Sequence, residues 1–432
     1  MVTIFLAILF LFQTPAAPAA VNVKPAIGKP AIDREIGRLE KNLRRNILPF
    51  WLEKSLDRVN GGYTINFGPR GEAKGPGVKM IVTQARQVWL FARLARAGYC
   101  GAECLEAAEH GYQFLREKMW DARYGGFYWQ VDATGEQKQK PNKHLYGQSF
   151  ALYAISEYAL ASGRRDVRDF AIEFFDLLEA KAHDRQYGGY REYFLPDWSP
   201  GDREASSYMS GEPGGKLMNT HLHLLEALTT FYRATMLPLG RERLLELINI
   251  QSNTVVRKSI GACTDKYQRD WTPRLDGENA RVSYGHDLEN IWLLIDACEA
   301  AGVSYRPFLD LFRTLFDYSM KYGYDAKDGG FFDSGRFNQP ADSLVKVWWA
   351  EAEAIVSALY MYRLTGEQRY FEVYQKTYDL IENRFVDWEN GEWHANLQPD
   401  GTVSGDKAQP WKAGYHNGRA MVECIQLLKL LR

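Results

Sequence analysis

A short turn motif recurs along this chain at a nearly constant interval, and this recurrence limits the folds available to it. The motif is Asp-x-x-x-Gly, then Gly or Glu, then an aromatic residue. Its five copies begin at Asp57, Asp121, Asp184, Asp325 and Asp387. The intervals between them are 64, 63, 141 and 62 residues, and the long one spans about two periods with a degenerate copy near Gly261-Ala262. The chain therefore contains six units of similar length.

Each unit is predicted to hold two helices and a small β-hairpin. The segments between the turns have a helical period, as in residues 82–97, where Val82, Ala85, Trp89 and Ala92 form one apolar stripe. The turns carry short aromatic runs such as residues 126–131. A Gly-Gly pair permits the tight positive-φ connection that a two-stranded ribbon needs.

Such units bury their apolar faces only by stacking on their neighbours. Six helical hairpins can close on themselves, so we predict an all-α fold, an (α/α)6 barrel with short β-hairpins at the Gly-Gly turns. An open solenoid is the alternative, but neither end of the chain resembles a polar cap. We assign residues 32–432 to one barrel domain. Closure would bring residues that lie hundreds apart in sequence around one central pocket.

The N-terminus resembles an export signal. An apolar run from Val2 to Phe12 is followed by Ala-x-Ala near Ala19, which predicts a signal peptide over residues 1–20 and a linker over residues 21–31. The run is short for a membrane span, although an uncleaved anchor is the alternative because no Lys or Arg precedes it. We therefore expect a periplasmic or secreted protein with no stable membrane association after cleavage.

Charge and cysteine usage narrow the classes of partner. The net charge of -1 gives no reason to expect nucleic acid or an anionic membrane as a partner. The five cysteines show no metal-ligand spacing, and only Cys100 and Cys104 are close enough in sequence to suggest a bridge. Aromatic residues reach 14%, which fits either extra core or the walls of a sugar-binding cleft. A monomer is our expectation for the oligomeric state.

Two histidine-containing stretches are the leading candidates for chemistry. In residues 283–294, His286 and Glu289 share one face of a predicted helix. A neighbouring carboxylate orients an imidazole and raises its basicity, and histidine exchanges protons near neutral pH. Considered alone, this pattern is more typical of a core histidine. A second histidine, His416, follows Trp411 just before the last apolar helix, and a closed barrel would place it near His286.

Residues 218–226 contain His-x-His, which invites a metal interpretation. On a helix, however, residues two apart point to nearly opposite sides, so His221 and His223 cannot share an ion there. Asn219 and His223 share a face instead. We therefore predict no metal site, a pocket position for His223 and a core position for His221.

The other candidates each have an ordinary structural alternative. Arg86 is either an inner-face group that stabilises an oxyanion or a surface arginine. Tyr146 starts a helix, where it could bind a sugar hydroxyl or only pack. The pair Trp348-Trp349 opens another helix as a sugar platform or as core. The full set is Arg86, Tyr146, Asn219, His223, His286, Glu289, Trp348, Trp349, Trp411 and His416.

These stretches resemble the cellobiose 2-epimerases of the N-acylglucosamine 2-epimerase superfamily, from about residue 34 to the C-terminus. The matching motifs are Tyr-Gly-Gln-x-Phe-Ala, Met-Asn-Thr-His-Leu-His-x-Leu-Glu, Gly-His-Asp-x-Glu-x-x-Trp-Leu-Leu, Trp-Trp and Trp-Lys-x-x-Tyr-His. One departure is Glu351, at a place where glutamine is common. The resemblance implies an (α/α)6 barrel, a disaccharide substrate with a free reducing end, and no metal or organic cofactor.

The resemblance also implies a role for each candidate. His286 and His416 would be the acid/base groups on opposite faces of the sugar C2, with Arg86 and His223 supporting the open-chain oxygen. One tryptophan of the Trp348-Trp349 pair would stack on the sugar. The remaining pocket would be shaped by Tyr146, Asn219, Glu289 and Trp411.

Other functions remain open at this point. One is an aldose–ketose isomerase, or a monosaccharide or N-acylglucosamine 2-epimerase, of the same superfamily. Another is a glycoside hydrolase, which would need two carboxylates about 5 to 10 Å apart. The third is a non-catalytic carbohydrate-binding barrel, which the paired histidines disfavour.

Overall fold

A computed structural model describes residues 27–432. Residues 1–26, which hold the predicted signal peptide and the first part of the predicted linker, lie outside the described residues. The first helix begins at Lys29, three residues before the predicted start of the barrel domain.

Fourteen α-helices lie within residues 27–432. They are α1 (Lys29–Asn42), α2 (Leu48–Lys54), α3 (Ile81–Arg96), α4 (Gly101–Phe114), α5 (Leu145–Ser162), α6 (Arg165–Lys181), α7 (Arg203–Ser207), α8 (Met218–Thr235), α9 (Pro238–Asn249), α10 (Tyr284–Ala301), α11 (Leu309–Tyr322), α12 (Trp348–Thr365), α13 (Gln368–Leu380) and α14 (Tyr415–Leu430). Their arrangement confirms the predicted all-α barrel.

Six helices form a closed inner ring. Helix α3 packs on α5, α5 on α8, α8 on α10, α10 on α12, α12 on α14, and α14 returns to α3. Around this ring, α4, α6, α9, α11 and α13 each pack on the inner helix that precedes them, and α1 packs on α14. The contact between the last inner helix and the first closes the barrel, so the open solenoid is excluded.

The inner helices form because both of their sides are covered. In α5 every residue from Leu145 to Ala159 is buried, and apolar residues surround its whole circumference. The outer helix α11 instead has one apolar stripe, with Phe312, Leu315 and Phe316 buried. A helix that is hydrophobic all round belongs inside a protein, whereas a striped helix covers a surface.

Short strands lie where the outer helices connect to the inner ones. They are β1 (Lys79–Met80), β2 (Gln130–Val131), β3 (Lys143–His144), β4 (Tyr193–Phe194), β5 (Lys216–Leu217), β6 (Val256–Arg257), β7 (Ala262–Cys263), β8 (Lys266–Tyr267), β9 (Arg281–Ser283), β10 (Ser334–Arg336), β11 (Ala341–Ser343), β12 (Lys346–Val347), β13 (Asn396–Leu397) and β14 (Val403–Ser404). All pairings are antiparallel: β1–β2, β3–β4, β5–β8, β6–β7, β9–β10–β11 and β12–β13–β14.

The repeated aspartate has a structural role in the turn. Asp57 accepts hydrogen bonds from the backbone of Val59 and Asn60, and its other oxygen lies 2.8 Å from Nζ of the buried Lys79. Gly61 has φ +80°, which a residue with a side chain rarely adopts. Equivalent ion pairs join Lys143 to Asp121, Lys216 to Asp184, Lys346 to Asp325 and Lys407 to Asp387.

The degenerate sixth copy keeps the turn but not the ion pair. Val256 pairs with Cys263, and the Gly261 N–H donates to the Arg257 carbonyl at 2.8 Å. In the first copy, Gly61 donates to the Asp57 carbonyl in the same way at 2.9 Å. The prediction of six units is therefore confirmed, with Arg257 in place of the aspartate.

The fourth residue of an inner helix fixes the turn to that helix. The Gln148 side chain accepts from the Phe127 N–H at 2.9 Å and donates to the Phe127 carbonyl at 2.8 Å. His221 takes the same position in α8, where its Nε2 accepts from the Tyr190 N–H at 3.0 Å. His221 is therefore a core histidine, as predicted.

Two further features are the state of the cysteines and the length and hydrophobicity of the helices. Cys100 and Cys104 form a disulfide bond, while Cys263, Cys298 and Cys424 are buried thiols. Within residues 27–432, every helix lacks the combination of length and hydrophobicity that crossing a bilayer requires.

Candidate active site

A cavity of about 380 Å³ opens where the N-termini of the inner helices meet. All ten residues that the sequence singled out line it, although they come from distant parts of the chain. Its lining consists of Arg86, Tyr146, Tyr208, Met209, Ser210, Asn219, His223, His286, Glu289, Trp348, Trp349, Trp411 and His416. We call this cavity the pocket, and its volume is typical of a site for a small molecule.

The first turns of the inner helices supply most of these side chains. Tyr146, Asn219, Trp349 and His416 are each the second residue of their helix, and His286 is the third residue of α10. Helix N-termini carry partial positive charge and free N–H groups. The pocket is therefore electrostatically suited to an oxygen that gains negative charge.

The two leading histidines both lie close to one indole ring. The Trp349 ring centroid is 4.6 Å from that of His286 and 5.8 Å from that of His416. Trp349 is partly exposed, whereas Trp348 is only 6% exposed and has Lys412 Nζ 5.5 Å from its ring centroid. Closure of the barrel thus brings α10, α12 and α14 to one point.

His416 is oriented by a carboxylate. Its Nδ1 lies 2.7 Å from Oε1 of Glu353, which comes from α12. A carboxylate accepts the imidazole proton, so Nδ1 carries hydrogen and Nε2 is left to act on a ligand. Burial, helped by the charges of Arg86 and Arg419, lowers the pKa of His416 well below its usual range. His416 is therefore neutral near pH 7.

His223 and His286 differ in their surroundings. His223 Nδ1 bonds to Glu226 Oε2 at 3.1 Å, and burial lowers its pKa despite this partner. Burial also lowers the pKa of His286 to about 3, with a further contribution from His223. Both imidazoles are thus uncharged near pH 7.

Arg86 sits above aromatic rings at the wall of the pocket. Its Nη2 donates to the Tyr146 hydroxyl at 3.1 Å and its Nη1 to the Trp411 carbonyl at 3.3 Å. The guanidinium lies 4.2 Å from the Phe150 ring centroid. Burial raises the pKa of Tyr146 to about 12, although Arg86 opposes that shift. Arg86 is therefore an inner-face residue rather than a surface one.

Below the histidines, Arg419 holds a group of carboxylates together. Its Nη2 donates to Glu289 Oε1 and to Glu353 Oε1, both at 2.7 Å. Its Nη1 donates to Glu226 Oε1 and to the Tyr415 hydroxyl. Burial alone would raise the pKa of Glu226, but Arg419 and His223 hold it at about 2. This buried network fixes the floor of the pocket.

Sequence reasoning missed several residues of the site. Glu353 and Arg419 lie on inner helices, and Arg419 follows His416 by three positions, which puts both on one helix face. That spacing was the available signal for Arg419. Residues 208–210 follow the short helix α7 in a connection without periodicity, so nothing in the sequence indicated that they reach the pocket.

The sequence predicts that there is no metal site, but one cluster of possible metal ligands lies at the pocket. Among the described residues, Glu289, Glu353 and His416 bring ligand atoms within 4.8 Å of one another. Arg419 Nη2 donates to both of these carboxylates, so a cation would have to share the space with a guanidinium. His221 and His223 do not converge, because His221 bonds the backbone of Tyr190 while His223 lines the pocket.

Another cavity, of about 360 Å³, lies at the opposite end of the inner ring. Ion pairs between neighbouring inner helices surround it, including Arg96 with Glu157 and Arg233 with Asp296. Because all six inner helices direct their C-termini there, this end carries partial negative charge. Among residues 27–432, its lining contains no histidine.

An (α/α)6 barrel whose inner helices aim imidazoles, an arginine and indole rings into one small polar pocket belongs to the carbohydrate isomerases and epimerases. The chain belongs to the N-acylglucosamine 2-epimerase family, whose model matches residues 61–420. That family was the one indicated by the sequence motifs, and the resemblance is confirmed.

Individual relatives agree with this assignment. The chain is 31% identical over 399 residues to a cellobiose 2-epimerase of Ruminococcus albus, covering 90% of this chain and 98% of that protein. It is 26% identical to a D-mannose isomerase of Marinomonas mediterranea, covering 91% and 97%. The solved structure of a cellobiose 2-epimerase from Spirochaeta thermophila superposes with a TM-score of 0.83 at 33% identity, covering 94% and 99%.

Proposed function

We propose that this chain inverts C2 of the reducing-end sugar of β-1,4-linked disaccharides, converting cellobiose to glucosyl-mannose, with mannobiose and lactose as further candidates. The observation that carries the proposal is that His286 and His416 line one pocket and both lie close to the ring of Trp349. Inversion at a carbon requires proton removal from one face and proton return to the other. Two neutral imidazoles at different angles to a stacked sugar supply this.

The reaction begins after the hemiacetal ring has opened. His416 Nε2 takes the proton from C2, and the electron pair of that bond moves into the C1–C2 bond as the carbonyl oxygen O1 becomes negative. His286 is neutral at the start, so it takes a proton from solvent as negative charge develops on the enediolate beside it and then gives that proton to C2 from the other face. His416 afterwards releases its proton to solvent, and the roles exchange in the reverse direction. General acid/base groups of this kind contribute about 10² to 10⁴-fold in rate.

The enediolate oxygen is stabilised by groups that are in place before the reaction. The N-termini of six inner helices and the Arg86 guanidinium face the pocket. Charge appears on the oxygen only in transit, so these groups lower the barrier rather than simply tightening ground-state binding. His223, held by Glu226, serves the neighbouring hydroxyl oxygen.

Trp349 is the residue that stacks on the reducing sugar in this proposal, because it is more accessible than Trp348 and contacts both histidines. Trp411 is 39% exposed at the pocket wall and provides a face for the second sugar. No metal or organic cofactor has a role in the proposed chemistry.

A second candidate function is aldose–ketose isomerisation, and the similarity to a D-mannose isomerase favours considering it. Such an enzyme could work with one base that moves a proton between C2 and C1. A hydrolase is disfavoured because Glu289 and Glu353 both bond the same arginine nitrogen instead of flanking a substrate. Incubation with cellobiose, mannobiose, lactose and glucose, followed by product chromatography, separates these functions. The proposal expects C2 epimers of the disaccharides, and free monosaccharide or mainly ketose from the disaccharides would contradict it.

We also propose that the protein is exported. The sequence of residues 1–20 supports this, and so does the disulfide bond between Cys100 and Cys104, since such bonds persist in oxidising compartments. Mass spectrometry of the protein from its native host should find a start near Ala20 or Val21. An intact N-terminus in the mature protein would contradict the proposal.

A further inference from the structure

The floor of the pocket holds more acidic groups than one arginine can balance. Glu226, Glu289 and Glu353 all accept hydrogen bonds from Arg419. Arg86 is the other arginine at the pocket. With all three glutamates ionised, this buried site would carry three negative charges against two positive ones. An uncompensated buried charge is costly, and a carboxyl group relieves that cost by keeping its proton.

The three carboxyl groups are not equally well supported. Glu226 accepts from Arg419, from His223 and from the Tyr415 hydroxyl. Glu353 accepts from Arg419, from His416 and from Trp292 Nε1, the last at 2.9 Å. Glu289 accepts from Arg419 alone, and its Oε2 is buried with no hydrogen-bond partner among residues 27–432. The poorest site for a negative charge is therefore Glu289.

We propose that Glu289 stands as a neutral carboxylic acid in the resting enzyme, while Glu353 stays ionised against His416. The idea rests on the proposed function only in giving His416 an acid/base role. With Glu289 neutral, Glu226 and Glu353 balance Arg86 and Arg419. His416 then alternates between imidazole and imidazolium beside a single carboxylate. An ionised Glu289 would add a second negative charge near His416 and make the imidazolium a poorer acid when it must return its proton.

The burial of Glu289 and the charge of a neighbouring glutamate support a neutral carboxylic acid at this position. Burial, followed by the charge of Glu353, raises the pKa of Glu289 well above its usual range, although Arg419 opposes the shift. The charged and titratable groups that line the pocket with Glu289 or bond its floor include Arg86, Tyr146, Tyr208, His223, Glu226, His286, Glu353, Tyr415, His416 and Arg419.

Infrared spectroscopy tests the protonation state without using turnover. Wild-type protein with ¹³C-labelled glutamate, compared with unlabelled protein at pH 7, should show an isotope-shifted C=O stretch of a buried carboxylic acid. Burial raises the pKa of Glu351 to about 8, so that group adds to the same band and the comparison is made in a Glu351→Gln background. In that background the band should be absent after Glu289→Gln and present after Glu157→Gln, which changes a buried glutamate that bonds Arg96 away from the pocket. A Glu351→Gln spectrum without such a band, or a band that persists unchanged when Glu289→Gln is added to it, would overturn the proposal. Failure of the proposed function would leave this readout unaffected.

Kinetics of two matched variants provide a second readout. Glutamine resembles a neutral glutamic acid, so Glu289→Gln should cost at least tenfold less in kcat than Glu353→Gln. The latter removes the negative charge beside His416 and should lower kcat by about 10² to 10⁴-fold, the range for an impaired acid/base group. Equal losses in the two variants, or a larger loss in Glu289→Gln, would contradict the assignment of the proton to Glu289.

Discussion

His416 Nδ1 lies 2.7 Å from Glu353 Oε1, although the two residues are 63 positions apart and belong to different helices of the inner ring. The same Glu353 oxygen also accepts from Arg419, so the imidazole is tied to the buried floor of the pocket. This relationship fixes which ring nitrogen of His416 faces a ligand.

Removal of either catalytic imidazole should nearly abolish epimerisation. His286→Ala and His416→Ala should each lower kcat by about 10² to 10⁴-fold, because each serves one face of C2. His394→Ala is the matched control, since His394 does not line the pocket. Circular dichroism and thermal unfolding should show that all three variants remain folded. Near-native turnover in either pocket variant would remove that histidine from the mechanism.

Loss of the residue that stacks on the sugar should weaken substrate binding. Trp349→Ala should raise KM for cellobiose and also lower kcat, because in the proposed mechanism the indole that lies close to both histidines positions the sugar. Loss of an aromatic platform costs about 1 to 3 kcal/mol in comparable stacking. Trp388→Ala, which removes an indole that is 42% exposed and remote from the pocket, is the control. Unchanged kinetics in Trp349→Ala would assign the platform to Trp348.

Glu351 should make stability depend on pH. It occupies the position of Gln148, accepts from the Phe331 N–H at 2.9 Å, and its Oε2 has no partner among the described residues. Burial raises its pKa to about 8. Because the folded pKa exceeds the unfolded one, its contribution to stability is fully present below about pH 4.5 and is lost as pH rises through 8.

Urea unfolding of wild type and Glu351→Gln across that range measures this effect. The free energy of unfolding of the wild type should fall relative to Glu351→Gln by up to ~1.4 kcal/mol per pH unit between pH 4.5 and 8. A difference between the two proteins that does not change with pH would mean that Glu351 is ionised throughout. The glutamine should be the more stable residue above pH 8.

Metal removal should leave the activity intact. No step of the proposed mechanism uses a metal ion, and Arg419 donates to both carboxylates of the one candidate cluster within residues 27–432. Dialysis against EDTA, followed by an assay with and without added divalent ions, measures this. An activity that disappears and returns only with a particular ion would require a metal in the mechanism.

Much of the architecture could be predicted from the sequence because its determinants are local. Each Asp-x-x-x-Gly turn is built from residues within one short stretch, as the hydrogen bonds of Asp57 to Val59 and Asn60 show. The number of copies then determined the ring. His286 and His416 were paired through that reasoning, and the structure places both at the same pocket.

The remaining features of the site depend on contacts between segments that are distant in the sequence. Glu353 looked like one polar residue in a helix, and only the meeting of α12 with α14 reveals its bond to His416. Arg419 gathers Glu226, Glu289 and Glu353 from three other helices. Tyr208 reaches the pocket from a connection with no periodic pattern, where its ring stacks on Trp129 at 5.3 Å. Sequence patterns report local geometry, so they could not supply these relationships.

Conversion of cellobiose in D₂O tests the two-histidine account most directly. The imidazole that takes the C2 proton is not the one that returns a proton, so solvent deuterium should enter at C2. The account predicts 4-O-glucosyl-mannose with deuterium at C2 of the reducing residue and with its glycosidic bond intact, as read by NMR and mass spectrometry at early times. A C2 epimer without deuterium, or a ketose labelled at C1 that forms first without the epimer, would contradict it.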